Sequence, residues 1–147
     1  MKTTELSIQL RHATIEDVSF IFNSWLKSFR TAPCSISIHN NIYYSEHHKL
    51  IERILRSFDV IIAADKEDPT HIYGFIVAGK VQDITTIHYL YVKHTFRRLG
   101  IAKALLAHFE IPNNEPFFYT HETSVGKVLG KKYLGVYHPY LAFGEQK

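Results

Sequence analysis

Arg97-Arg98-Leu99-Gly100-Ile101-Ala102-Lys103-Ala104-Leu105-Leu106, RRLGIAKALL, sets two arginines and a glycine at the head of an otherwise well-made helix. A helix N-terminus already exposes unpaired N–H groups and carries partial positive charge. Basic side chains there oppose the macrodipole, so the arrangement calls for something negative at that end. Residues 85–92, just before, are rich in β-branched and aromatic side chains and read as a strand. Strand, short basic turn, glycine and helix start together make a phosphate cradle. Gly100 has no Cβ to hold a ligand off the backbone. Arg97 and Arg98 add forked donors suited to phosphate oxygens.

Upstream of this stretch, residues 7–11 alternate like a short strand, and Thr14 opens a helix with Asp17 three residues on, a relative of the capping box. Val18, Ile21, Phe22, Trp25, Leu26 and Phe29 recur at helical spacing. Pro33 and the polar residues after it make a loop, and Ser45 caps a second helix with the stripe Leu50, Ile51, Ile54 and Leu55. Two apolar runs, 60–64 and 72–81, flank a turn containing Pro69 and pair as a hairpin. Asp83 turns the chain into the strand that precedes the basic stretch.

Downstream, Ala102, Leu105, Leu106 and Phe109 share one face of the third helix, which Pro112, Asn113 and Asn114 end. Residues 116–121 read as a strand, 124–134 as a fourth helix closed by Gly135, and 136–143 as a last strand. The order β-α-α-β-β-β-α-β-α-β predicts an α/β fold, a mixed sheet with helices on both faces.

The 147 residues fit one domain, with a core drawn from a 46% hydrophobic composition that includes nine Tyr, ten Phe and one Trp. One cysteine, Cys34, excludes an internal disulfide framework and suits a reducing cytoplasm. No signal-peptide core opens the sequence, and no apolar run approaches the about 18 residues of a membrane span. A soluble, cytoplasmic protein without membrane contact is the expectation. A formal charge of +3 fits an anionic ligand without requiring nucleic acid.

The anion is not signalled by the usual nucleotide loops. Gly126 to Lys131 has the wrong spacing for a Walker loop and lacks its hydroxyl residue, and no Gly-x-Gly-x-x-Gly is present. Arg97-Arg98-Leu99-Gly100-Ile101-Ala102 does resemble the Arg/Gln-x-x-Gly-x-Gly/Ala hallmark of the GCN5-related N-acetyltransferase (GNAT) family. The strand His88-Tyr89-Leu90-Tyr91-Val92 before it and the helix after it are also similar to that family, and the order of elements matches over nearly the whole chain. More weakly, the sequence resembles small acetyltransferase-like reading frames of bacteriophages.

The resemblance implies a mostly antiparallel sheet and acetyl-CoA as co-substrate. It sets the pyrophosphate on the amides of Leu99, Gly100, Ile101, Ala102 and Lys103, beside Arg97 and Arg98. The pantetheine arm would lie along Leu90, Tyr91 and Val92, where the family's fourth and fifth strands splay apart.

Acetyl transfer to an amine needs a deprotonated nucleophile, a carbonyl held close, and a proton for the leaving thiolate; proximity supplies much of the rate. The position of the glutamate base used by some family members falls on Thr86, so the carboxylate is missing. By strand parity Thr86, His88, Leu90 and Val92 share one face, and Ile87, Tyr89 and Tyr91 the other. His88 then offers an imidazole of suitable pKa, or else is a core histidine bonded to backbone. His121, next to Thr120, faces the expected splay and could bind the acceptor or relay a proton. The family's acidic tyrosine would fall on Lys131, leaving Tyr133 or Tyr137 as substitutes; Tyr133 is about 200° further round the helix. For acceptor contacts the first two helices offer Ser24, Trp25, Tyr43, Tyr44 and His48, with Trp25 on the core stripe.

Metal catalysis is disfavoured. His121-Glu122 lacks the second histidine of the zinc-helix motif, Val125 standing in its place, and adjacent His47 and His48 diverge on a helix. Nucleic-acid binding lacks an arginine-rich run, although a modified base could be the acceptor, as could a small molecule or protein. A catalytically weak acetyl-CoA sensor and a homodimer both stay open.

Overall fold

A computed structural model of the chain describes residues 7–111, 115–123 and 134–143. In chain order the elements are β1 (Ile8–His12), α1 (Val18–Phe29), α2 (Asn40–Ser57), β2 (Asp59–Asp65), β3 (Ile72–Val81), β4 (Ile84–Val92), α3 (Ile101–His108), β5 (Phe117–Tyr119) and β6 (Gly135–Tyr137). They build one six-stranded sheet in the order β1-β2-β3-β4-β5-β6. Strands β1 to β4 pair antiparallel, and β4, β5 and β6 run parallel. The expected fourth helix, with Tyr133, lies outside the described residues except for Leu134.

The near-continuous apolar runs of β2 and β3 follow from cover on both faces. One face packs Ile62, Ala64, Phe75, Val77 and Tyr89 against Ile21, Trp25 and Phe29 of α1 and Tyr43, Ile51 and Ile54 of α2. The other packs Ile61, Ala63, Ile76, Ala78 and Ile87 against Ile101, Leu105 and Leu106 of α3. Each such side chain contributes roughly 1.5–3 kcal/mol when fully buried. Asp17 ties β1 to the head of α1, accepting Thr14 N–H at 2.7 Å and the Arg11 guanidinium at 2.6 and 2.9 Å. No helix among the described residues is long and apolar enough to cross a membrane.

Several expected boundaries shift. A 3₁₀ turn, Ile15–Asp17, precedes α1. Helix α2 begins at Asn40, five residues before Ser45, with His39 rather than Ser45 at its N-cap. Residues 136–143 do not form one strand: β6 stops at Tyr137, and a 3₁₀ turn, Pro139–Phe143, begins at Pro139, whose missing N–H cannot extend a ladder.

The strand parity expected of β4 fails at one residue. Val77 pairs with Tyr89 but Ala78 with Ile87, so His88 is a bulge with no partner on β3. The extra residue flips the alternation. Ile87 therefore shares the α3 face with Leu90 and Val92, while His88 meets Phe58 at the end of α2, ring centroids 4.1 Å apart.

Candidate active site

β4 carries the site along its length. Its parallel pairing with β5 covers only Thr86–Phe118 and Ile87–Tyr119, with Thr120 N–H to Ile87 O at 3.0 Å as a further tie. Past that point no strand pairing joins β5 to β4 from His88 to Val92 among the described residues. The cleft so formed is lined by Ile87, His88, Tyr89, Leu90, Leu106 and Tyr119, with Phe117, His121 and Thr123 completing it. No carboxylate lines it among the described residues.

At the far end of β4 the backbone is held tightly. A Cβ on Gly74 would lie 2.3 Å from Tyr91 O, so only glycine allows β3 this close to the strand end. Arg97 Nε–H donates to Val92 O at 3.1 Å, which anchors the basic turn to β4. The helix does not start at the arginines. A 3₁₀ turn, His94–Phe96, comes first, Arg97 is extended, Arg98 has φ +66°, and Gly100 at φ +84° is the N-cap of α3.

Gly100 is favoured by its left-handed backbone and not by crowding, since a Cβ there would meet nothing within 4 Å. That open space is what an occupied cradle needs. The first helical bond is Ala104 N–H to Gly100 O at 3.0 Å, so the amides of Ile101, Ala102 and Lys103 precede the ladder. Leu99, Arg97, Arg98 and Lys103 are exposed, and among the described residues these three basic side chains form no ion pair. An anion such as a diphosphate fits this mouth on donors, charge and space.

The other end of the cleft is sealed in aromatic core. His88 is fully buried; its Nδ1 lies 3.0 Å from Thr120 Oγ1, and its Nε2 is buried without a partner. Burial pushes His88 down to about 4. His121 is enclosed by Trp25, Phe29 and Tyr89. Its Nδ1 meets Thr120 Oγ1 at 2.9 Å and its Nε2 meets His47 Nε2 at 3.0 Å. Burial holds His121 well below 6.5, and the neighbouring His47 and His88 add to that. Half-buried His47 stacks on Phe29 and Tyr43 and is also lowered to about 4 by burial. Thr86 is fully buried and donates to Ile84 O at 3.1 Å.

Of the residues considered for acceptor contacts, Trp25 and Tyr43 are core; Tyr43 O–H donates to Leu26 O at 2.6 Å. His48 stacks on Phe22 at 4.4 Å, Ser24 gives its carbonyl to Ser28, and Tyr44 is exposed. His47 and Thr120 were missed as site residues. The signal for His47 was present, since Tyr43, His47, Ile51 and Ile54 form one helical stripe.

No curated protein sequence matches the chain. Solved structures do. One is an acetyl transferase-like protein from Pyrococcus furiosus, 20% identical, covering 70% of this chain and 72% of that one at a TM-score of 0.56. Another is the PaiA N-acetyltransferase of Thermoplasma acidophilum in complex with coenzyme A, 20% identical, covering 71% and 70%, at 0.50. At such identity these likenesses speak for the fold. Residues 21–111 match the Acetyltransferase (GNAT) family over more than half of the sequence; the chain belongs to that family and is an acetyl-CoA-dependent N-acetyltransferase.

Proposed function

We propose that the chain, acting as one cytoplasmic acyltransferase domain, moves the acetyl group directly onto an amine held in the cleft between β4 and β5. The observation that carries this reading is the unpaired edge of β4, which leads from the cleft to the open mouth at Gly100. Acetyl-CoA supplies an activated acyl group as a thioester.

The amides of Leu99, Gly100, Ile101, Ala102 and Lys103, with Arg98, hold the diphosphate, and Arg97 fixes the turn to Val92 O. Leu90, Tyr91 and Val92 offer backbone groups to the pantetheine arm. His88, neutral at pH 7, has an Nε2 free to accept the proton that the amine sheds. Such an imidazole is a weak base, so most of the rate comes from holding amine and carbonyl together. His121 supports His88 through Thr120. Tyr133 is proposed as the acid for the leaving thiolate on sequence grounds alone.

The test is thiol release from acetyl-CoA with a panel of amines: spermidine, a lysyl peptide, a peptide with a free N-terminus, and an amino-modified nucleobase. Release with one of these, lost in His88→Ala, supports direct transfer and names the acceptor class. A second reading, a CoA-binding sensor, is favoured by the cleft lining, which has no carboxylate among the described residues. Tight CoA binding with no release from any amine would select it.

A further inference from the structure

Three hydrogen bonds run in single file through the aromatic core: His88 Nδ1 to Thr120 Oγ1, Thr120 Oγ1 to His121 Nδ1, and His121 Nε2 to His47 Nε2. A hydroxyl has one hydrogen, and so has a neutral imidazole. With its hydrogen kept within the file, Thr120 donates to one Nδ1 and accepts from the other, and each ring's tautomer fixes the next. Two assignments keep every hydrogen within the file; a third, in which the Thr120 oxygen accepts from both Nδ1–H groups, turns its hydroxyl hydrogen away and also leaves His88 Nε2 bare. In the first, His88 Nδ1–H donates to Thr120, Thr120 O–H donates to His121 Nδ1, and His121 Nε2–H donates to His47 Nε2. His88 Nε2 is then a bare lone pair. In the second every donor is reversed, and His88 Nε2 carries the hydrogen.

We propose that Thr120, His121 and His47 form a relay that keeps the buried Nε2 of His88, a residue lining the cleft, a bare acceptor and carries a proton taken there out to the half-buried ring of His47. The inference rests on the acetyl-transfer reading for its source of protons. As the amine nitrogen bonds to the acetyl carbon and the C–S bond breaks, the nitrogen sheds one proton to His88 Nε2. The Nδ1 proton of His88 passes to Thr120 Oγ1, whose own proton goes to His121 Nδ1. The Nε2 proton of His121 moves to His47 Nε2, and His47 releases its Nδ1 proton to solvent. One proton enters, one leaves, no ring ends charged, and the thiolate sulfur is protonated separately by the acid proposed above. The reverse moves, with water supplying His47 Nδ1 and accepting from His88 Nε2, reset the tautomers after product leaves.

The surroundings favour passage over storage. Burial lowers all three imidazoles, so positive charge does not rest on the chain. Among the described residues, the other ionisable groups in ring contact with it are Tyr89, whose hydroxyl bonds Ser28, and Tyr43, whose hydroxyl bonds Leu26 O. No carboxylate is hydrogen-bonded to it among the described residues.

The direct test is the tautomeric state of the ligand-free full chain, labelled with nitrogen-15 histidine and read by two-bond proton–nitrogen spectra. His88 and His47 are expected as the Nδ1–H form and His121 as the Nε2–H form. A hydrogen on His88 Nε2, or on His121 Nδ1, overturns the proposal. The nearly isosteric Thr120→Val should release His88 from its fixed tautomer, and Thr120→Ser should restore it; His47→Phe, which keeps the stacking, breaks the file at its other end. In the thiol-release assay with the fastest amine, Thr120→Val is expected to lower kcat about tenfold or more with KM for acetyl-CoA within about twofold. An unchanged kcat overturns the relay and leaves acetyl transfer standing. No thiol release by the unaltered protein sinks the transfer reading instead, and the tautomer spectra still decide the relay's direction.

Discussion

At its Val92 end β4 runs into a basic turn open to solvent, whereas at His88 it meets Phe58 and, through Thr120, the His121 ring that Trp25, Phe29 and Tyr89 enclose. The two ends are stabilised differently. At the turn, several weak and separately replaceable donors converge on open space, and each contributes little to folding. Inside, polar groups are few, desolvated and dependent on one another, so the loss of one is felt by all. The first arrangement suits adjustable affinity for an anion; the second suits fixed proton positions.

Substitutions should expose this contrast, beginning with the interior. Trp25→Ala removes a fully buried ring stacked 4.8 Å from Tyr89. It should cost about 3–5 kcal/mol in denaturant unfolding; a loss below about 1 kcal/mol would mean the aromatic core is not the rigid half of the comparison.

Acid should act on the same region. His88 is neutral in the fold down to about pH 4 but gains a proton near 6.5 once unfolded. Between those values the unfolded chain binds more protons, so stability falls as pH drops from about 6.5 to about 4. His88 alone accounts for about 3 kcal/mol of this, and His47 and His121 act in the same direction. Urea unfolding at pH 7 and pH 4.5 reads the difference. Equal stability would place these rings in water.

At the other end, Arg98→Ala should weaken CoA by about 1–3 kcal/mol in calorimetry while leaving unfolding nearly unchanged. A change of a few tenths would mean the guanidinium only hangs in solvent. Arg97→Ala should have the smallest effect. Its exposed bond to Val92 O is worth about 0.5–1.5 kcal/mol of stability, with a slight further loss of CoA affinity through the loosened turn.

The exposed end was the legible one. Arg97, Gly100 and the apolar stripe of α3 are local features, and local rules describe them: a glycine where φ is positive, donors before a helix, a strand just upstream. The layered sheet followed from element order and from the apolar runs of β2 and β3. What local rules could not reach was set by contacts distant in sequence. The bulge at His88 overturned a face assignment that counted residues in twos. The meeting of His47 with His121 joins residues 74 apart. His39 replaced Ser45 as a helix cap because the loop after Pro33 is shorter than its polarity suggested.

The central claim is the course of CoA along β4 to the mouth of α3, and amide chemical shifts on titration with CoA test it most directly. The account predicts the largest changes at Leu90, Tyr91 and Val92 and at the amides of Leu99, Gly100, Ile101, Ala102 and Lys103. Saturable shifts confined to other surfaces, or none at millimolar CoA, would contradict it.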